Sequence, residues 1–273
     1  MEKIDTGTEH LIFEKENGVA VLTMNRPEAR NAMSGEMNEA MKATLEEVEL
    51  DPNIRCVVLT GAGKGFCAGG DVKGMASSGD GTVGDNTIDG AIHRQRVHQK
   101  ATAGKLFKMP KPTIAALPGA AAGAGLSYAL ACDLRVMASS AIMTTAFAKV
   151  GFSGDYGGSY FMTQLIGSAK ARELYFLSDR VTADEALNLG LTNWVCEPDD
   201  LMDKTMEIAN RLANGPSVAY RYMKENLNRA MNGEVDDCLD LEATHHIHCG
   251  QTEDHRNATK AFVEKKEPVF KGK

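Results

Sequence analysis

The sequence lacks an excess of positive charge: its 273 residues carry 30 Lys and Arg against 37 Asp and Glu, a net of −7. That balance removes any broad electrostatic reason to bind nucleic acid or an anionic membrane surface. No apolar run approaches the roughly twenty residues that a bilayer-spanning helix needs. The first residues, MEKIDTGTEH, are polar and acidic instead of a basic region leading into an apolar one. A soluble, cytoplasmic protein is expected, with no membrane and no nucleic acid among its partners. Cysteine is scattered: Cys56, Cys67, Cys132, Cys196, Cys238 and Cys249 contain no C-x-x-C pair. Disulfides are therefore not expected. No repeat at solenoid period is present either.

What is present is an alternation of strand and helix signals. Leu11 to Met24 reads as a β-hairpin, because Asn17-Gly18 supplies the two positive-φ residues of a type I′ turn. From Ser34, Met37, Met41, Leu45 and Val48 recur at helical spacing. Cys56 to Thr60 suits a strand buried on both faces. GAGKGFCAGGD follows, too rich in glycine for a regular element. Ala76 to Gly90 has little to bury and reads as a loop able to act as a lid. A helix to about Phe107, a strand at Thr113 to Leu117, a second glycine-rich turn (PGAAAGAG), a small-residue helix (LSYALAC) and a strand at Leu134 to Met137 continue the order. The pattern predicts α/β architecture. Beyond Gly158 only Thr192 to Cys196 carries a strand signal. Thr182 and Glu185 have the spacing of a capping box, and SVAYRYMKENLNRAM, EVDDCLDLEATHHIH and TEDHRNATKAFVEKK predict three amphipathic helices whose apolar faces need a partner.

Several familiar motifs fail on a single residue. Neither glycine-rich turn completes G-x-G-x-x-G, since Phe66 and Tyr128 stand where the third glycine belongs, and Lys64 is followed by glycine where a P-loop needs Ser or Thr. Gly151-Phe152-Ser153-Gly154-Asp155 departs from a nucleophile elbow at its last position. His245, His246 and His248 match neither H-E-x-x-H nor zinc-finger spacing and read as solvated or interface histidines. Two features survive. Each glycine-rich turn follows a buried strand and precedes a helix, so the pair forms either two tight turns or a converging set of backbone N–H donors for an anion. Asp155, alone among glycines and aromatics, is either a helix cap or a proton carrier.

NRPEARNAM (25 to 33), GKGFCAGGDVKGM (63 to 75) and LPGAAAGAGLSYALACDLRV (117 to 136) together resemble the crotonase superfamily, the enoyl-CoA hydratases and isomerases. The resemblance runs from about Phe13 to the C-terminus. It implies a crotonase-like spiral of ββα units, here residues 1–200, with a helical C-terminal region, 201–273, that assembles homotrimers or homohexamers. The substrate implied is an acyl-CoA thioester, with no cofactor beyond the CoA that belongs to the substrate and no metal. Carried over by position, the two oxyanion donors are the backbone N–H groups of Gly70 and Ala124. The acyl-CoA site would be lined by Ala68, Gly70, Asp71, Val72 and Lys73, with Arg30 along the nucleotide arm. Hydratases of this family hold a water between two glutamates, and the matching positions here are Ser127 and Phe147. The subset resembling phenylacetate-pathway isomerases instead carries an aspartate in G-x-x-x-D-x-G-G, which is Gly151 to Gly158 here. That implies an enoyl-CoA isomerase in which Asp155 moves the proton and Phe147 and Tyr156 make its surroundings apolar. The alternatives are a hydratase positioning water with Asp155, helped by Ser127 or Tyr156, and a non-catalytic acyl-CoA-binding subunit, with thioester hydrolysis a minor third. Asp71 is read as a helix cap as well, and Asp133 as a structural acid.

Overall fold

A computed structural model describes residues 1–71 and 87–273. Eleven strands among them form two sheets. The larger has the order β1-β2-β3-β4-β6-β8-β11 (Glu2–Ile4, Leu11–Glu16, Val19–Met24, Cys56–Gly61, Thr113–Leu117, Leu134–Ala138, Trp194–Cys196), antiparallel from β1 to β3 and parallel from β3 to β11. The hairpin falls where Asn17-Gly18 requires it, with φ of 51° and 80°. The smaller sheet has the order β10-β9-β7-β5 (Val181–Thr182, Ile142–Thr144, Ala120–Ala122, Gly65–Cys67). Both stretches read from sequence as plain glycine-rich turns therefore contain a short strand. After β4, β6 and β8 the chain makes a tight corner and adds one strand to the second sheet, which is the repeated unit of the spiral.

Strand alternation explains the burial. In β3, β4, β6 and β8, Val19, Val21, Cys56, Val58, Ile114, Ala116 and Val136 face one way, against Leu201, Ala209 and Ala213 of helix α7 (Leu201–Ala213). Their neighbours Ala20, Leu22, Val57, Leu59, Ala115, Leu117 and Met137 face the other core. Because both faces are covered, β4 and β6 are buried along their whole length. Helix α7 begins just past residue 200 yet packs on this sheet, so it belongs with the ββα body. Helix α1 (Gly35–Leu50) starts where Ser34 Oγ accepts from Met37 N–H at 3.1 Å, and it buries Met37, Met41, Leu45 and Val48 as their spacing requires.

The single helix expected to run to Phe107 is two, α2 (Ile88–Ala101) and α3 (Ala103–Lys108), divided at the fully buried Thr102, whose hydroxyl donates to His98 O at 2.8 Å. Thr87 caps α2 through Gly90 N–H, so the expected loop ends at least three residues early; its part from 76 to 86, and the lid reading with it, lies outside the described residues. Helix α4 (Ala124–Ala131) is buried throughout, and α5 (Gly158–Leu177), broken by a kink at Gly167 where φ is 76°, follows the Asp155 turn. The Thr182–Glu185 capping box opens α6 (Ala183–Leu189). The last three helices, α8 (Ser217–Ala230), α9 (Val235–Gly250) and α10 (Glu253–Val263), match the three amphipathic segments. The histidine reading needs one correction: His245 is buried, stacked on Tyr222 at 4.1 Å, with Nδ1 2.6 Å from Asn226 Oδ1 and Nε2 3.4 Å from Glu225. All six cysteines are free thiols.

Candidate active site

The two glycine-rich turns lie against each other. A Cβ on Gly69 would fall 2.9 Å from Ala122 O and 3.3 Å from Ala124 N, and one on Gly125 would overlap Cys67. Only residues without a side chain permit this approach. The turns bring Gly70 and Ala124 to one locality, and their N–H groups are uncommitted: Ala124 opens α4 and has no in-helix acceptor, while Gly70 N–H donates to no acceptor among the described residues. Gly70 is held from behind by pairing with Met33, whose N–H donates to Gly69 O at 2.8 Å.

The segment 25–33 is tied to the first turn by Asn31, a fully buried residue at φ 56°. Its side-chain amide donates to Ala62 O at 3.0 Å and Gly65 O at 2.8 Å, and its Oδ1 accepts from Arg26 N–H. Ala68 N–H donates to Arg30 O at 3.0 Å, so Arg30 flanks the turn through its main chain while its side chain is exposed. Asp71 is bound by Arg26 Nη1 at 3.0 Å. Neither Arg26 nor Asn31 was singled out from sequence: asparagine tolerates a left-handed backbone, but only the structure shows that Asn31 adopts one. Val72 and Lys73 lie outside the described residues, as does any helix that Asp71 would cap.

Asp155 presents a carboxyl whose Oδ1 is buried without a hydrogen-bond partner. It does not cap α5: Gly157 occupies the cap position, no side chain bonds there, and what Gly158 N–H meets is the backbone carbonyl of Asp155 at 3.1 Å. Burial pushes the carboxyl up from 3.8 to about 6. The negative charge is felt at Cys67, Tyr128, Tyr156 and Tyr175, all of them shifted upward chiefly by burial, with Cys67 reaching about 12. Asp155 thus sits within electrostatic reach of the first turn. Its turn also packs on α4, because a Cβ on Gly158 would overlap Ser127 Oγ at 2.3 Å and crowd Tyr175 Oη at 2.7 Å.

Neither of the two positions that the resemblance matches to glutamates carries an acid here. Ser127 is buried and donates back to Gly123 O at 3.3 Å. Phe147 is buried, stacked on Tyr175 with ring centroids 5.9 Å apart, and lies within 4 Å of where a Gly123 Cβ would be. Tyr156 is buried at φ 49°, with its hydroxyl 3.0 Å from His98 Nδ1. Asp133 accepts from Thr113 N–H and Oγ1 and from Lys224 Nζ at 2.8 Å, far from this site in role: it compensates a buried lysine. Among the described residues no group of His, Cys, Asp or Glu is arranged to hold a metal ion, and no helix is long and apolar enough to cross a membrane.

A two-sheet ββα spiral with paired N–H-bearing glycine turns defines a crotonase-type enzyme. Residues 14–273 match the family described as Enoyl-CoA hydratase/isomerase, and the chain belongs to that family. It is 36% identical over 261 residues to the short-chain-enoyl-CoA hydratase of Clostridium acetobutylicum, covering 94% of this chain and 95% of that protein. It is 35% identical over 265 residues to the 1,2-epoxyphenylacetyl-CoA isomerase of Escherichia coli, covering 97% and 99%. The crystal structure of enoyl-CoA hydratase from Bacillus anthracis superposes with a TM-score of 0.88 at 29% identity, covering 97% of this chain and all of that one. Relatives of nearly equal identity carry hydratase and isomerase names, so identity alone does not divide the two chemistries.

Proposed function

We propose that this enzyme moves a double bond along the acyl chain of an enoyl-CoA, with Asp155 as the proton carrier and the N–H groups of Gly70 and Ala124 as the oxyanion hole. The observation that carries this reading is the buried, unpartnered Oδ1 of Asp155 beside the two converged turns. The ionised carboxylate takes a proton from C2 of a 3-enoyl thioester. The C–H electron pair moves into a dienolate whose negative oxygen lies between the two N–H groups, and the same carboxyl returns the proton at C4 to leave the 2-enoyl product. One carboxylate suffices because both transfers occur on one face. The two donors count most as charge grows on oxygen, and losing one would raise the barrier by about 3–4 kcal/mol. A carboxyl near 6 ionises under ordinary conditions yet is basic enough to accept a carbon-bound proton.

Hydration would need a second group to activate or protonate, and the hydroxyl of Ser127 is already committed to Gly123 O. The discriminating experiment is incubation in heavy-oxygen water with hex-3-enoyl-CoA, to read isomerisation, and with hex-2-enoyl-CoA, to read hydration. The reading expects unlabelled conjugated product and its loss in a folded Asp155→Asn variant. Label in the product would assign hydration instead, and near-normal turnover by Asp155→Asn would remove the acid from the mechanism. Six free thiols accord with a reducing, cytoplasmic setting. Assembly into a homotrimer or homohexamer is part of the same reading, supported by exposed Leu227, Leu239, Ile247, Phe262 and Val263 on α8 to α10; sedimentation equilibrium tests it, and a monomer at micromolar concentration would refute it.

A further inference from the structure

An uncapped, unpartnered carboxyl needs something other than its own hydrogen bonds to hold its direction. That support falls to the next residue. Tyr156 is a non-glycine at φ 49°, a left-handed backbone state that an L-residue adopts only at a cost, so contacts around it must offset that cost. They come from the last turn of α2. Tyr156 N–H donates to the side-chain Oε1 of Gln99, and Tyr156 Oη pairs with His98 Nδ1 at 3.0 Å. The ring edges meet as well, Tyr156 against His98 at 5.8 Å and against Tyr128 at 5.1 Å, both near perpendicular.

The tautomer of His98 follows from its other nitrogen. Nε2 is 3.2 Å from Asn38 O, and a carbonyl only accepts, so Nε2 carries the proton. In the neutral ring Nδ1 is then the acceptor and the Tyr156 hydroxyl donates to it. His98 therefore links α1, through Asn38, to the residue beside the acid, and Thr102 fixes His98 from its carbonyl side. Helix α2 has no fully buried residue, so polar contacts of this kind are what couple its C-terminal turn to the site.

We propose that Gln99 and His98 are positioning residues for Asp155: by holding the main-chain N–H and the ring of Tyr156, they fix the peptide between 155 and 156 and with it the direction of the carboxyl. The inference rests on the reading of Asp155 as proton carrier for its effect on turnover, and stands apart from it for its effect on the carboxyl itself. The test is a pair of variants, Gln99→Ala and His98→Ala, each assayed for kcat and KM with hex-3-enoyl-CoA. The Asp155 carboxyl is titrated in parallel by infrared difference against Asp155→Asn. Gln99→Ala is expected to lower kcat about 10- to 100-fold with KM changed less than about threefold, the range for misplacing a catalytic group by a fraction of an ångström to one ångström. The carboxyl midpoint should fall from about 6 toward the usual aspartate range as the side chain turns to water. His98→Ala should move both readouts the same way by a smaller factor, and serves alone if Gln99→Ala does not fold. A midpoint that stays near 6 in the folded variants overturns the inference whatever happens to kcat. A shifted midpoint in an enzyme for which Asp155→Asn is fully active would uphold the positioning and refute the catalytic reading instead.

Discussion

The Cα of Gly69 approaches the amide nitrogen of Ala124 so closely that a side-chain carbon on Gly69 would stand 3.3 Å from it and 2.9 Å from Ala122 O. Gly69 is also at φ 89°, which an L-residue adopts only under strain. Gly69→Ala should therefore part the two turns and spoil the alignment of the Gly70 and Ala124 donors. Turnover is expected to fall about 100- to 1,000-fold, the effect of losing one such donor, with far-ultraviolet circular dichroism little changed. A Gly69→Ala enzyme within about threefold of the parent would mean that the convergence does no catalytic work.

Acid dependence follows from the raised carboxyl. The base must be ionised to take a proton, so kcat/KM should rise with pH through a midpoint near 6 and then level off. Absence of an acid limb in that region would exclude Asp155 as the base.

The same shift has a stability consequence of opposite sense. Below pH 3.8 the carboxyl is protonated in both folded and unfolded chains and contributes nothing. Between 3.8 and about 6 the unfolded chain ionises while the folded one holds its proton, so stability falls as pH rises, and above about 6 the cost is constant. Asp155→Asn should thus be more stable than the parent by on the order of 1–2 kcal/mol at neutral pH, after discounting for partial solvent access, and equal to it in acid. Denaturant titrations at two pH values measure the difference.

Ser127→Ala should leave isomerisation within about threefold of the parent, since its hydroxyl is spent on Gly123 O. A large loss of turnover would favour the water-positioning alternative.

Asp133 tests the reading of a structural acid. Removing it in Asp133→Ala leaves Lys224, buried beneath Leu106 O and Lys111 O, without its counter-charge. Such a loss costs about 3–5 kcal/mol, and denaturant unfolding should report it with little change in KM.

Local signals in the chain were strong wherever one residue carries a physical obligation. Asn17-Gly18 requires a primed turn, Thr182 and Glu185 reciprocally cap a helix, and Met37, Met41, Leu45 and Val48 share a helical face. The second sheet was hidden because its strands are only two or three residues long, so they have no period to detect. Thr102 divides a helix through burial, which no local propensity records. His245 reads as one of three surface histidines until Tyr222, Asn226 and Glu225 of the neighbouring helix enclose it.

By itself, the sequence determined the hairpin, the long strands and helices of the larger sheet's repeating order, the two glycine turns and the presence of a lone acid, because these depend on backbone freedom and on side-chain spacing. Only the tertiary structure decided what that acid does locally: whether its carboxyl caps α5 or stands free. It stands free because Gly157 takes the cap, Gly158 N–H is satisfied by a main-chain carbonyl, and Tyr156 is clamped from a helix more than fifty residues away in the chain, a distance that no local pattern spans.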